Sequence, residues 1–135
     1  MNRSTVHMLR VVAAAATLLM TATVNALTIG DVQLHSHLGE PLRATVAIEN
    51  LGSLSAGELI VGSAPEADYR AMGIEKTFLT STLKYELDVA KGGRGTVEIS
   101  TANPVGEPYV DIVLEIRWPG GRAVRQFTLL LDPRQ

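Results

Sequence analysis

The 135-residue chain has no cysteine, which excludes a disulfide framework, a thiol nucleophile, a cysteine-based zinc site and a lipid-modified N-terminal cysteine. Stability must therefore come from an ordinary apolar core. No long apolar run follows residue 26, so nothing beyond that point reads as a membrane span, which takes roughly 20 apolar residues. Positive charge is also scarce: twelve Lys and Arg stand against fourteen Asp and Glu. Arg3 and Arg10 lie in a first segment of 26 residues without acids, so residues 27–135 hold ten bases against fourteen acids, a formal charge of −4. That balance argues against a nucleic-acid binder. The two signs are interspersed, as on a soluble surface. Also missing are a Gly-x-Ser-x-Gly elbow, a phosphate loop and a His-Glu-x-x-His helix.

What is present begins with those first 26 residues. Arg3 and Arg10 precede the apolar run Val11-Val-Ala-Ala-Ala-Ala-Thr-Leu-Leu-Met20, and the stretch closes on Val24-Asn25-Ala26 with small residues at −3 and −1. This is the order of a secretory signal peptide, with cleavage predicted after Ala26. The alternative is an uncleaved anchor, for which the run is short. The expected working protein is one exported domain over residues 27–135, acting outside the cytoplasm, with no membrane span once the signal is removed.

Period-two alternation dominates the remainder. Val110, Ile112, Leu114, Ile116 and Trp118 alternate with Asp111, Val113, Glu115 and Arg117, the chain turns at Pro119-Gly120-Gly121, and Phe127, Leu129 and Leu131 return on one face. A second hairpin runs Leu83, Tyr85, Leu87, Val89, turns at Lys91-Gly-Gly-Arg-Gly95, and returns through Val97 and Ile99, with glycine supplying the positive φ of the turn. Leu42, Ala44, Val46 and Ile48 form an earlier strand, Val32 and Leu34 mark a shorter first one, and Leu59–Ser63 is a weak one. Ser55-Ala-Gly-Glu58 has capping-box spacing. Ser63 to Gly73 reads as a short helix with a capping serine, proline near its first position, acids in the first turn and a glycine stop. About seven strands with one or two helical turns predict an all-β, immunoglobulin-like antiparallel sandwich.

Few residues suggest chemistry. His35 and His37, two apart with Glu40 behind them, would share one face of a strand and could hold Cu or Zn if a third ligand arrived. Against this, Leu34, Ser36 and Leu38 would take the inward face and leave both imidazoles merely solvated, so no metal and no cofactor are assigned. Glu86, Asp88, Glu98, Asp111 and Glu115 fall on the outward phase of their strands, where a solvated face explains them, and no catalytic residue is assigned. The basic tip Arg117, Arg122 and Arg125, beside Trp118, has a composition favoured at binding hot spots. Trp118 is expected to plug the end of the sandwich, while the three arginines are the partner-binding candidates.

Four stretches, Leu34-His-Ser-His-Leu-Gly-Glu-Pro-Leu42, Glu107-Pro-Tyr109, Trp118-Pro-Gly-Gly-Arg122 and Leu129-Leu-Leu-Asp-Pro133, together resemble the N-terminal periplasmic domain of the FimV family of type IV pilus assembly proteins. The resemblance covers about Leu27 to Pro133. It implies a non-enzymatic envelope module that serves pilus or secretion assembly by contacting another protein. In that family a peptidoglycan-binding LysM domain, a membrane span and a cytoplasmic repeat region follow; this sequence stops where the LysM linker would begin, so the adaptor module is what carries over. The competing expectations are a chaperone-like or metal-handling envelope protein using His35 and His37, and, lower, a cell-wall hydrolase.

Overall fold

The computed structural model describes residues 27–134; the expected signal peptide, residues 1–26, lies outside the described residues. Alternation sets the strands. β1 (Thr28–Leu34), β2 (Pro41–Glu49), β4 (Lys84–Ala90) and β5 (Arg94–Pro104) form one antiparallel sheet in the order β1-β2-β5-β4. β3 (Ile60–Ser63), β6 (Tyr109–Trp118) and β7 (Gly121–Leu130) form the second, in the order β3-β6-β7. That four-plus-three arrangement is the strand order of a constant-type immunoglobulin sandwich. Such domains often pin their sheets with a disulfide; here the facing positions are filled by Leu42, Ala44, Val46 and Ile48 of β2, Val97 and Ile99 of β5, and Ile112, Leu114 and Ile116 of β6, all essentially inaccessible to water. Removing any of the larger ones to alanine should cost about 2–5 kcal/mol.

The two expected hairpins form. Trp118 pairs with Gly121 around a two-residue Pro119-Gly120 loop, and Ala90 pairs with Arg94. In the latter turn Gly92 and Gly93 have φ of 83° and 72°, a region that a side chain disfavours. The capping-box spacing is used as well: Glu58 reaches back to accept from the Ser55 amide at 3.1 Å, beside a single 3-10 turn, Ala56–Glu58.

Three local expectations are corrected. The helix α1 spans Glu66–Ala71 with Pro65, not Ser63, at its N-cap; Ser63 is the last residue of β3, and its hydroxyl is hydrogen-bonded to Tyr69 at 2.7 Å. A further short helix, α2 (Phe78–Ser81), is started by Thr77, whose side chain accepts from the Thr80 amide. Lastly, β6 is not half-buried: Val113 and Glu115, in its outward phase, are both buried. The reason is a second, small core on the outer face of the three-stranded sheet, where Tyr69 of α1 packs with Ala64 and Val113, flanked by Ile74 and Val124.

Candidate functional site

The three arginines are placed by different elements and do different things. Arg122, near the start of β7, donates to Asp68 of α1 at 2.6 Å and forms an ion pair with Glu115 of β6 at 3.0 Å. Arg117 forms an ion pair with the other Glu115 oxygen at 3.3 Å. The Glu115 side chain is only 11% exposed, so two guanidiniums compensate a carboxylate that would otherwise be costly to bury. Glu115 is thereby removed from the set of solvated carboxylates, whereas Glu86 and Glu98 stay on the exposed surface.

Arg125 faces elsewhere. Its guanidinium donates to the carbonyls of Ile29 and Gly30 at 2.7 Å each, reaches Asp31 at 3.2 Å, and lies 5.0 Å from the centre of the Phe127 ring. These carbonyls are turned toward β7 because β1 is irregular between Ile29 and Val32. Gly30 is required there: a Cβ would stand 2.9 Å from the Ala47 carbonyl oxygen. Arg125 thus fastens the β1 edge of one sheet to β7 of the other. On the opposite side of the sandwich, Tyr69 accepts from the Val113 amide at 3.2 Å and bonds Ser63. The Tyr85 hydroxyl of β4 is buried close by without a hydrogen-bond partner among the described residues, and burial pushes its pKa far up. Trp118 is half-buried against the main core, as expected of a plug, and Gly120 lies close against its indole, where a Cβ would come within 2.9 Å of Nε1.

The histidines do not sit on a strand, since β1 ends at Leu34. Both are exposed, with Ser36 buried between them. His35 Nε2 is bonded to Thr45 Oγ1 at 2.8 Å, and His37 Nδ1 is 3.0 Å from Glu40. The two rings therefore engage different neighbours, and among the described residues no group of three or more His, Asp or Glu is placed to hold a metal ion. The His37 amide also donates to Glu40 at 2.7 Å; that bond, then the imidazole, hold the Glu40 carboxyl below its ordinary value. Arg134 lies 3.4 Å from the other Glu40 oxygen.

Tertiary structure brings three of the four diagnostic stretches to one end. Leu38 donates to the Asp132 carbonyl, Gly39 to that of Val105, and Leu131 to that of Pro108, so Leu34–Leu42, Glu107–Tyr109 and Leu129–Pro133 are knitted together. Beside this knot runs a surface groove that alternation did not reveal. One part is lined by Ile74, Glu75, Thr77, Glu107, Tyr109 and Asp111. The other continues from the shared Thr77 and Glu107 past Phe78 to Pro104 and Val105. Phe78 is 85% exposed, Tyr109 61%, and Leu130, the cross-strand partner of Tyr109, 67%. The only sequence signal for this groove was the occurrence of large apolar residues outside the inward phase of any strand.

The family match agrees with this architecture. The FimV N-terminal domain, described as an Ig-like domain, matches residues 27–134. The motility hub protein FimV of Pseudomonas aeruginosa is 31% identical over 120 residues, both in strain PAO1 and in strain UCBPP-PA14. The match takes in 89% of this chain but 13% of those relatives, so the chain spans a small part of their length. A solved structure, the BIgI domain of beta protein from S. agalactiae bound to CEACAM1, aligns over 78% of this chain and all of that one at 12% identity and a TM-score of 0.39. With a family match running the length of the sandwich, and a strand order in keeping with its Ig-like description, the chain belongs to the FimV N-terminal domain family.

Proposed function

We propose that this domain is a non-enzymatic periplasmic adaptor of the cell envelope, exported by residues 1–26 and serving pilus or secretion assembly by binding another protein. The family match over residues 27–134 carries the reading: its relatives are named motility hub proteins, and a hub works by contact. The surface supports it. An open sheet edge offers unpaired amides and carbonyls to a partner strand. The β4 edge is guarded by the Lys84–Glu86 pair, at 2.9 Å, and by Asp88. The second half of β7, Gln126-Phe-Thr-Leu-Leu130, has no charged side chain, so it is the better edge for strand addition. At the turn end of the same β6–β7 hairpin, Arg117 and Arg122 keep exposed guanidinium surface available to a partner carboxylate while they compensate Glu115.

In-cell photo-crosslinking from Thr128, Arg122 and Thr45, with mass spectrometry of the captured protein and of the mature N-terminus, tests the reading. A discrete envelope protein captured from at least one site, on a chain beginning at Leu27, is the expected result. Absence of any crosslink above background from all three sites refutes the adaptor role.

A further inference from the structure

We infer that the groove between residues 73–78 and 101–111 is a peptide-docking site for an extended segment carrying Arg or Lys between apolar residues. The inference rests on the adaptor reading and names the surface and chemistry of the partner. The groove's lining contains three carboxylates, Glu75, Glu107 and Asp111, and no Lys or Arg. None of the three takes part in an ion pair among the described residues, although acids elsewhere, such as Glu115 and Asp68, do; Asp111 accepts from the Thr128 hydroxyl, which leaves Glu75 and Glu107 as the principal acids for a partner cation. Lys76, the nearest base in sequence, is exposed, but its Nζ is engaged on the Ala64 carbonyl at 3.4 Å and lies 5.5 Å from the centre of the Tyr69 ring.

The apolar side of the site points the same way. The chain has six aromatic residues, and two of them, Phe78 and Tyr109, stand exposed at either part of this one groove. Exposed rings beside carboxylates suit a guanidinium or ammonium group, which can stack on the ring face while it pairs with the acid. Ile74, Pro104, Val105 and Pro108 supply apolar floor between them, where the aliphatic residues flanking that cation would lie. The two loops are held in place from beneath: Val105 donates to the Glu40 carbonyl and Ile74 to that of Tyr69, so the groove is preformed and a partner need not order it.

The test uses the purified secreted chain and a fluorescein-labelled peptide of about eight residues that alternates leucine with arginine, a length matched to strand-like docking. A second peptide carries glutamine in place of arginine. Anisotropy is expected to show saturable binding of the arginine peptide and at least about tenfold weaker binding of the glutamine one, since charge-assisted pairing is the feature removed. The double variant Glu75→Gln/Glu107→Gln, and separately Tyr109→Ser, should each weaken the arginine peptide by at least about fivefold, as loss of an interface anchor does. The control Glu86→Gln/Asp88→Asn, which removes the same charge from the β4 edge, should change it by less than about twofold. Equal binding of the two peptides, an equal effect of the control, or no binding of either peptide overturns the inference. Failure here is separable from failure of the adaptor role: a partner crosslinked through Arg122 or Thr45 in the cell, with the peptide unbound, leaves the adaptor standing and removes the groove.

Discussion

The hydroxyl of Tyr69 carries one structural task that a single atom can test. Tyr69 is 0% exposed and lies over the outer face of β6 just where β3 ends. β3 pairs with β6 only as far as Ser63 opposite Leu114, so the Val113 amide has run out of strand partner on that side. The Tyr69 oxygen takes over as acceptor at 3.2 Å and is itself bonded to Ser63 at 2.7 Å. Tyr69→Phe keeps the ring against Ala64, Val113, Ile74 and Val124 and removes only that oxygen. A buried amide left without an acceptor costs about 1–3 kcal/mol. At about 4 °C per kcal/mol for a domain of this size, Tm should fall by about 4–12 °C. Ser63→Ala leaves the Val113 amide satisfied and should cost under about 1 kcal/mol. Thermal unfolding followed by circular dichroism gives the first quantity, and amide hydrogen exchange locates it, with Val113 losing protection ahead of Leu114 and Ile112. A Tyr69→Phe protein that melts within about 1 °C of the parent, or that leaves Val113 exchange unchanged, refutes the reasoning.

Arg125→Ala removes the donor shared by the Ile29 and Gly30 carbonyls and should destabilise by about 1.5–3 kcal/mol, with exchange increasing first in β1; Arg125→Lys should restore little of it, because one ammonium cannot reproduce the fork. Urea titration of the three proteins checks both points. Trp118→Ala, which empties a half-buried site beneath Gly120, should cost about 3 kcal/mol, and an unchanged midpoint would mean that the indole packs against nothing important. The Glu40 carboxyl is held below its usual value near 4.5 by His37, so the stability it lends is present above that value and is lost as pH falls through the lower, folded-state one. Below about pH 4.5 the His37 amide should therefore lose protection in NMR hydrogen exchange, and Glu40→Gln should show the same loss at neutral pH; a His37 amide equally protected in Glu40→Gln would remove the link.

How much of this was legible beforehand follows from where the information sits. β2, β4, β5, β6 and β7 could be read because Leu42-Ala44-Val46-Ile48, Val97-Ile99 and Ile112-Leu114-Ile116 keep one phase from end to end, and a phase is a local property. β1 was seen only from Val32 on because the irregularity at Gly30-Asp31 shifts the phase between Ile29 and Val32; alternation cannot be followed across a bulge. The outward positions Val113 and Glu115 escape alternation for a different reason. What buries them is the landing of α1, fixed by Arg122 on Asp68, 54 residues earlier, and by Tyr69 on Val113, 44 residues later. An apolar Val113 and Val124 in an outward phase, with Tyr69 and Ile74 in the preceding helical segment and the turn after it, are nonetheless the sequence trace of that second core. The arginines illustrate the limit most sharply. Their clustering near Trp118 was visible, but Arg122 compensates a buried acid and Arg125 clamps two strands, and neither role has a local signature, because each is defined by a backbone or carboxylate brought in from another part of the chain. The groove at Glu75, Glu107 and Tyr109 belongs to the same class: its acids and rings come from two loops about thirty residues apart, so only a folded chain puts them side by side.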